Sequence, residues 1–247
     1  MHRFYVAPES WSPDTLGLSG SEAHHARNVL RMKRGDRAVL FNGRGREITA
    51  EIVDLDEDEV RLRKLHETET PPLRCRITLG QAIPKGKNMD LIVQKAVEIG
   101  AAEIAPLISE RTIVDLGPKE AEQKRAKWQQ IAIEAAKQCG QNWLPQLHAP
   151  RKLKDFFSQA GGFDLRLIGS LQSDAIHPKK ILADYTDEHR DWPRNVLMLV
   201  GPEGDFTPAE LALAKTNGCL PITLGPIILR VETAAIYCLS VLSYELM

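Results

Sequence analysis

The sequence contains no CxxC pair. Its four cysteines, Cys75, Cys139, Cys219 and Cys238, are scattered over 247 residues. That spacing favours buried thiols in a reducing cytosol over zinc ligands or a disulfide framework. No His/Cys cluster with ligand spacing occurs either, so no metal site is expected. Long apolar runs are also missing: nothing approaches the ~18 uninterrupted apolar residues of a membrane span. The stretch from Ile227 to Met247 comes closest, but Arg230, Glu232 and Glu245 interrupt it. The opening residues Met1-His2-Arg3-Phe4-Tyr5-Val6 lack the apolar core of a signal peptide, so a cytoplasmic location without membrane association is expected. An excess of charge of either sign is absent as well, since Lys plus Arg number 32 against 33 Asp plus Glu. This excludes a uniformly basic nucleic-acid binder and leaves a local patch open. Neither the phosphate loop GxxxxGK[ST] nor the dinucleotide fingerprint GxGxxG is present, which disfavours a nucleotide-dependent oxidoreductase. Asn42-Gly43-Arg44-Gly45 lacks the third glycine and sits in a hairpin setting. No internal repeat or low-complexity tract occurs, and a composition of 43% hydrophobic and 26% charged residues is that of a globular protein.

Two halves separate at Thr68-Glu69-Thr70-Pro71-Pro72, because a Pro-Pro pair fixes extended backbone and cannot continue a strand ladder. The division predicts domains over residues 1–70 and 74–247. The front half carries strand signals at Phe4-Tyr5-Val6, Ala38 to Phe41, Glu47 to Val53 and Val60 to Leu65. Asn42-Gly43 serves as a turn and Asp54 to Glu59 as an acidic turn. One helix, capped by Ser21 and ending near Leu30, interrupts them. A small β-barrel is the expected result.

After the linker, strands and helices alternate. Strand candidates are Ile77 to Ala82, Ile104 to Ile108 (whose Pro106 suggests an edge or bulge), Leu165 to Gly169, Val196 to Val200 and Ile222 to Leu224. Helices are expected over Asn88 to Gly100, where Leu91, Ile92, Lys95, Val97 and Ile99 follow the helical period and Gly100 is the C-cap. Further helices are expected over Lys119 to Gln138, Pro208 to Thr216 and Glu232 to Leu246. Such alternation predicts an α/β domain with a parallel sheet.

Two turns carry chemistry. Gly201-Pro202-Glu203-Gly204-Asp205-Phe206 follows an apolar strand, and the next helix opens with Thr207 as cap, Pro208 in the first turn and Glu210 three residues on. Glycines at a strand's carboxyl end let a ligand approach the backbone, and ligands of open α/β sheets gather there. The second turn is Leu224-Gly225-Pro226-Ile227-Ile228-Leu229-Arg230-Val231-Glu232-Thr233-Ala234-Ala235. An arginine and a glutamate in so apolar a stretch are either a salt bridge at a helix start or a functional pair.

These two turns together resemble the motifs of the SPOUT superfamily of knotted methyltransferases, and specifically of the RsmE family, which methylates N3 of a uridine in 16S ribosomal RNA. The resemblance spans nearly the whole chain. It includes His24-His25-Ala26-Arg27-Asn28-Val29-Leu30-Arg31 with Gly35-Asp36, and Lys95-Ala96-Val97-Glu98-Ile99-Gly100. It continues through Glu110-Arg111 and Glu134-Ala135-Ala136-Lys137-Gln138-Cys139-Gly140. It implies a trefoil knot at about 165–240, rare among folds, with S-adenosylmethionine as cofactor and a PUA-like barrel at residues 1–70. It also implies a homodimer with the site at the interface. By carry-over, Ile168, Gly169, Val200, Gly201, Pro202, Glu203, Gly204, Leu224, Gly225, Ile228 and Leu229 hold the cofactor, and Thr233 and Ala234 close the pocket. Two positions depart from the pattern. Asp205 stands where GPEGG has its last glycine, which is tolerable if that residue avoids positive φ. Gln141 stands where an arginine commonly follows Gly140.

For such a reaction, Arg230 is the candidate to stabilise negative charge on the base, and Glu232 or Glu203 is the candidate proton acceptor or the group that orients Arg230. Between His24 and Arg46, the cations Arg27, Arg31, Lys33, Arg34, Arg37, Arg44 and Arg46 face the single acid Asp36, a cluster suited to a phosphate backbone. Lys85, Lys87, Arg111 and Lys137 extend the expected RNA surface. The substrate is expected to be 16S rRNA or the small ribosomal subunit. The competing readings are a non-catalytic RNA-binding or ribosome-assembly factor and a related methyltransferase acting on tRNA.

Overall fold

A computed structural model describes every residue except 13–15, 57–58, 113–115 and 160. The chain divides into two units. One comprises Met1–Pro72 with Ile133–Leu144, and the other Leu73–Ala132 with Pro145–Met247.

In the first unit, alternating apolar and polar residues build a curled half-barrel. Strand β1 (His2–Tyr5), β2 (Gly17–Ser19), β3 (Arg37–Phe41), β4 (Arg46–Leu55) and β5 (Glu59–Glu69) pair in the order β1-β3-β4-β5-β2. Only β1 and β3 run parallel. Register shifts at Thr49/Ala50 and Ile52/Asp54 bend the β4–β5 ribbon, as bulges do. The inward positions, among them Phe4, Leu18, Leu40, Ile48, Ile52 and Val60, close one apolar core. The β3–β4 turn is held by Asn42, whose Oδ1 accepts the backbone N–H groups of Arg44 (2.8 Å) and Arg46 (3.1 Å). The tip of the acidic turn after β4 lies outside the described residues.

Two expectations for this unit change. The helix begins two residues earlier, as α1 (Gly20–His24) with Ser19 rather than Ser21 as N-cap, and continues as π-helix through Val29. The domain cut is also incomplete, because 133–144 belongs to the first unit. Arg3 donates to Asn142 Oδ1 (2.6 Å), Trp143 Nε1 donates to the Thr70 carbonyl (2.9 Å), and Lys137 pairs with Glu22 (3.1 Å). These partners lie far apart in sequence, beyond any local pattern.

The second unit is an α/β layer. It contains α2 (Asn88–Ile99), α3 (Pro118–Cys139, whose end belongs to the first unit), α4 (Leu153–Gln159), α5 (Pro178–His189), α6 (Pro208–Thr216) and α7 (Val231–Leu246). Its strands are β6 (Arg76–Ala82), β7 (Glu103–Ile108), β8 (Gln146–Leu147), β9 (Arg151–Lys152), β10 (Leu165–Gly169), β11 (Asn195–Val200) and β12 (Leu220–Ile222). The parallel sheet runs β12-β10-β11-β6-β7-β8, with β9 also on β7. Central β11 is buried from Val196 to Val200, as its apolar run requires, and β6 is buried from Ile77 to Ala82, with Thr78 and Gln81 among the buried residues. Pro106, which has no N–H to give, lies in the gap between the β8 and β9 pairings. The helix α2 buries Met89, Ile92, Val93, Ala96 and Val97, leaves Leu91 exposed, and ends at Gly100 with φ +95°. The capping box of α6 forms as its sequence predicts, Thr207 and Glu210 each accepting the other's backbone N–H. The last helix, α7, packs on α2, β6 and β11. The expected strand Ile222 to Leu224 instead ends at Ile222, which frees Thr223 and Leu224. Three cysteines are buried as expected, but Cys139 is exposed.

Candidate functional site

The carboxyl ends of β10, β11 and β12 point the same way, and the loops leaving them enclose a cavity of about 680 Å³. Its wall includes Gly169, Val200, Gly201, Pro202, Glu203, Leu224, Gly225, Ile228, Leu229 and Ala234, together with Arg230 and Glu232. Two turns distant in sequence thus share one site, because parallel pairing sets their strands side by side.

Three expected residues are not on that wall. Ile168 is fully buried within the sheet, where it registers with Leu199 and Pro221, so its side chain serves the core. Thr233 is exposed on the first turn of α7, since successive helical residues point about 100° apart. Gly204 turns its carbonyl to the Arg111 guanidinium. Asp205, Pro226, Ile227 and Val231, which belong to the two turns read from sequence, also line the cavity, and Asn88, Ser170, Leu171, Gln172 and Thr223 line it without having been expected there. Most are neighbours of expected residues. Asn88 is not: it arrives on α2, and its Nδ2 donates to Glu232 Oε2 at 3.2 Å.

Arg230 and Glu232 form no salt bridge with each other. Arg230 lines the cavity, is exposed at the N-cap of α7 and joins no ion pair among the described residues. Glu203 accepts the backbone N–H of Lys85 at 2.9 Å. Asp205 has φ +62°, so the condition set by its sequence fails, and the position keeps the left-handed backbone of the glycine it replaces. Its Oδ1 accepts the Phe206 N–H at 2.7 Å, a local bond of the kind that lets Asp adopt this region.

The site suits a small-molecule ligand. Its volume lies within the ~300–1,000 Å³ of small-molecule sites. At Gly201 a Cβ would stand 3.1 Å from Asp205 Oδ1 and 3.2 Å from the Phe206 nitrogen, so glycine keeps that backbone open. Glu203, Asp205 and Glu232 set carboxylates around the apolar Leu224, Ile228 and Leu229. Among the described residues no group of three His, Cys, Asp or Glu side chains is arranged to hold a metal ion.

The expected RNA contacts divide between the units. In the first, Arg27, Arg31, Lys33 and Arg34 are exposed. Arg31 sits at φ +53° directly after the π-helical turn, and Arg27 donates to the Asp56 carbonyl at 3.2 Å. Lys137 does not share that exposure: its side chain is 10% exposed, clamped by Glu22 and Glu134. In the second unit, Lys85, Lys87 and Arg111 are exposed. No helix is long and apolar enough to cross a membrane among the described residues.

Comparison with known proteins agrees with this geometry. Residues 71–243 match the RNA methyltransferase domain family, and residues 18–65 match the RNA methyltransferase PUA domain family. The ribosomal RNA small subunit methyltransferase E of Bacillus subtilis is 30% identical, the alignment covering 94% of this chain and 90% of that one. The ribosomal RNA small subunit methyltransferase E of Neisseria gonorrhoeae, solved bound to S-adenosylmethionine, is 33% identical with a TM-score of 0.86, covering 99% of this chain and 98% of that one. A methyltransferase of Legionella pneumophila, solved with the same cofactor bound, is 36% identical with a TM-score of 0.87, covering 98% and 97%. The chain belongs to the RNA methyltransferase family that includes the ribosomal RNA small subunit methyltransferases E.

Proposed function

We propose that this chain transfers a methyl group from S-adenosylmethionine to N3 of a uridine in 16S ribosomal RNA, acting in the cytoplasm on the small subunit as a homodimer. The observation that carries the reading is the single cavity built from the β10, β11 and β12 loops, in a chain of this family. Bound there, the sulfonium supplies an electrophilic methyl group, and its positive charge suits the carboxylates on the wall. Backbone groups of Gly169, Gly201 and Gly225 are the natural contacts for its polar parts. The three loops fix the line of approach, and positioning is the main service a protein offers such a transfer.

The N3 proton of the uridine must leave, which spreads negative charge onto the flanking carbonyl oxygens. Arg230, with no competing ion pair among the described residues, is placed at the cavity rim to meet that charge. Glu232, oriented by Asn88, and Glu203, oriented by the Lys85 N–H, are the proton acceptors on the wall. The exposed cations Arg27, Arg31, Lys33 and Arg34 serve the phosphate backbone. A base reached at N3 is unpaired, so the target uridine is splayed out of any stack.

Dimerisation is supported by apolar side chains left open on the cavity rim. Leu171 is 62% exposed, Ile227 68% and Ile228 78%. A second copy over the rim would cover them and enclose Arg230. The knot at about 165–240 is supported by the order β12-β10-β11 and by the return of α7 over β6 and β11.

Titration calorimetry with S-adenosylmethionine tests the cofactor, and absence of binding at high micromolar concentration would remove the enzyme reading in favour of an assembly factor. Nucleoside mass mapping of 16S rRNA from a strain lacking the protein tests the substrate: N3-methyluridine should disappear, and its persistence would refute the assignment. Arg230→Ala should keep cofactor binding and lose most turnover. Sedimentation analysis should return twice the chain mass.

A further inference from the structure

We infer that Arg111 is a positioning residue for the cofactor turn rather than a contact for RNA phosphate, an inference that rests on the reading of the cavity as the S-adenosylmethionine site. Its charge and exposure alone suit it to RNA. The geometry gives it another task. Arg111 Nη1 donates to the carbonyl oxygen of Gly204, and its Cδ lies where a Cβ on Gly204 would stand only 3.2 Å away. That carbonyl belongs to the peptide joining Gly204 to Asp205, whose φ is +62°. A non-glycine residue persists in such a conformation only where its surroundings hold it.

The surroundings here are specific. The Asp205 N–H closes the turn on the Pro202 carbonyl at 2.9 Å, and the Lys85 N–H holds the Glu203 carboxylate. Arg111 supplies a second tie to that same peptide, holding its carbonyl oxygen while the Pro202 carbonyl holds its N–H. Its own base is anchored. Glu110 donates its backbone N–H to Oε1 of buried Glu210 (3.0 Å), the same glutamate that closes the capping box of α6. The Arg111 N–H donates to Ser109 Oγ (3.2 Å), and Ser109 is itself buried. The loop after β7 is therefore stapled to the start of α6, and Arg111 reaches from it to the turn between β11 and α6. Gly201, Pro202, Glu203 and Asp205 all line the cavity, so rotation of the 204–205 peptide would displace the wall.

The test is calorimetric titration of S-adenosylmethionine, without RNA, into the wild type, Arg111→Met and Arg111→Lys. Methionine keeps the aliphatic stem and cannot donate, whereas lysine keeps the charge and a donor. Arg111→Met should bind the cofactor about tenfold more weakly, or 1.4 kcal/mol, as expected for one lost hydrogen bond from a charged donor. Arg111→Lys should recover part of that loss. In turnover assays KM for the cofactor should rise in the Met variant while kcat at saturation stays near wild type, and the melting temperature of the cofactor-free chain should barely move. Should the Met variant fail to fold, Arg111→Gln, too short to reach the carbonyl, replaces it with the same expected loss. Unchanged cofactor affinity in these variants overturns the inference; a weaker dependence of RNA affinity on salt in them would then assign Arg111 to phosphate. If the wild type itself binds no cofactor, the proposed function falls and this inference with it. If the wild type binds and the variants bind equally well, only the inference falls.

Discussion

Asp205 offers the sharpest test of the turn. An L-residue in the left-handed region costs about 1–2 kcal/mol, which Asp offsets in part by bonding its own neighbourhood. Here the offset is the 2.7 Å bond from the Phe206 N–H to Oδ1. Asp205→Ala keeps the Cβ strain and loses that bond, for a net cost of about 1 kcal/mol. Asp205→Gly loses the same bond and also the strain, while its more flexible unfolded chain costs about 0.5–1 kcal/mol. Glycine should therefore exceed alanine by about 0.5–1 kcal/mol and lie near the wild type. For a chain of this size about 1 kcal/mol moves the melting temperature by about 2–4 °C. Thermal melting of the cofactor-free proteins should thus order them as wild type near Gly, with Ala lowest. If the Ala variant melts at or above the Gly variant, Asp205 does not hold a left-handed backbone, and the account of the turn is wrong.

Three further outcomes are expected. A Cβ on Gly80 of β6 would overlap the side chain of Leu199 on β11, so Gly80→Ala should destabilise the second unit by about 1–3 kcal/mol in urea unfolding; a neutral result would mean that the sheet core yields at that point. The half-buried Glu103 carboxyl is held below its ordinary range, first by the hydrogen bond with His148 (2.9 Å) and also by Arg76. The stability it contributes is full above the ordinary glutamate pKa of 4.5 and is lost as pH falls through the lowered folded value. Glu103→Gln should therefore flatten the acid limb of the stability curve, and an unchanged limb would refute the pairing. Burial pushes the thiol of Cys75 up to about 11 and those of Cys219 and Cys238 to about 12, whereas Cys139 is exposed. A thiol reagent at about pH 8 should then modify Cys139 alone in the native chain, and rapid labelling of Cys238 would contradict its place in α7.

The elements most readily read from sequence are those encoded within a few residues of themselves. Thr207, Pro208 and Glu210 announce the start of α6, and Gly100 announces the end of α2. Alternation over Glu47 to Val53 announces β4. The strand-end glycines of the two turns mark where a ligand can approach the backbone, and the resemblance joins those turns into one pocket. Each signal rests on bonds or packing that span one helical turn or one strand. Where the pattern was weaker, the reading slipped: α1 starts earlier, β12 stops at Ile222, and α4 and α5 carried no periodicity strong enough to name.

What only the tertiary structure decided is which distant residues meet. Arg111 and Gly204 lie 93 residues apart, and Asn88 and Glu232 lie 144 apart. Parallel strand order and the return of α7 bring these pairs together, and local pattern holds no record of either. The same holds for 133–144, which joins the first unit through Asn142 and Trp143, and for Lys137, drawn from the expected RNA surface into a pair with Glu22. The left-handed backbone of Asp205 is likewise visible only in the folded turn, where its N–H meets the Pro202 carbonyl and Arg111 meets the Gly204 carbonyl. The sequence by itself determined the helices, strands, caps and glycine turns, because these form among near neighbours. The tertiary structure decided the partners of each charged side chain, because burial and pairing depend on contacts that only the folded chain creates.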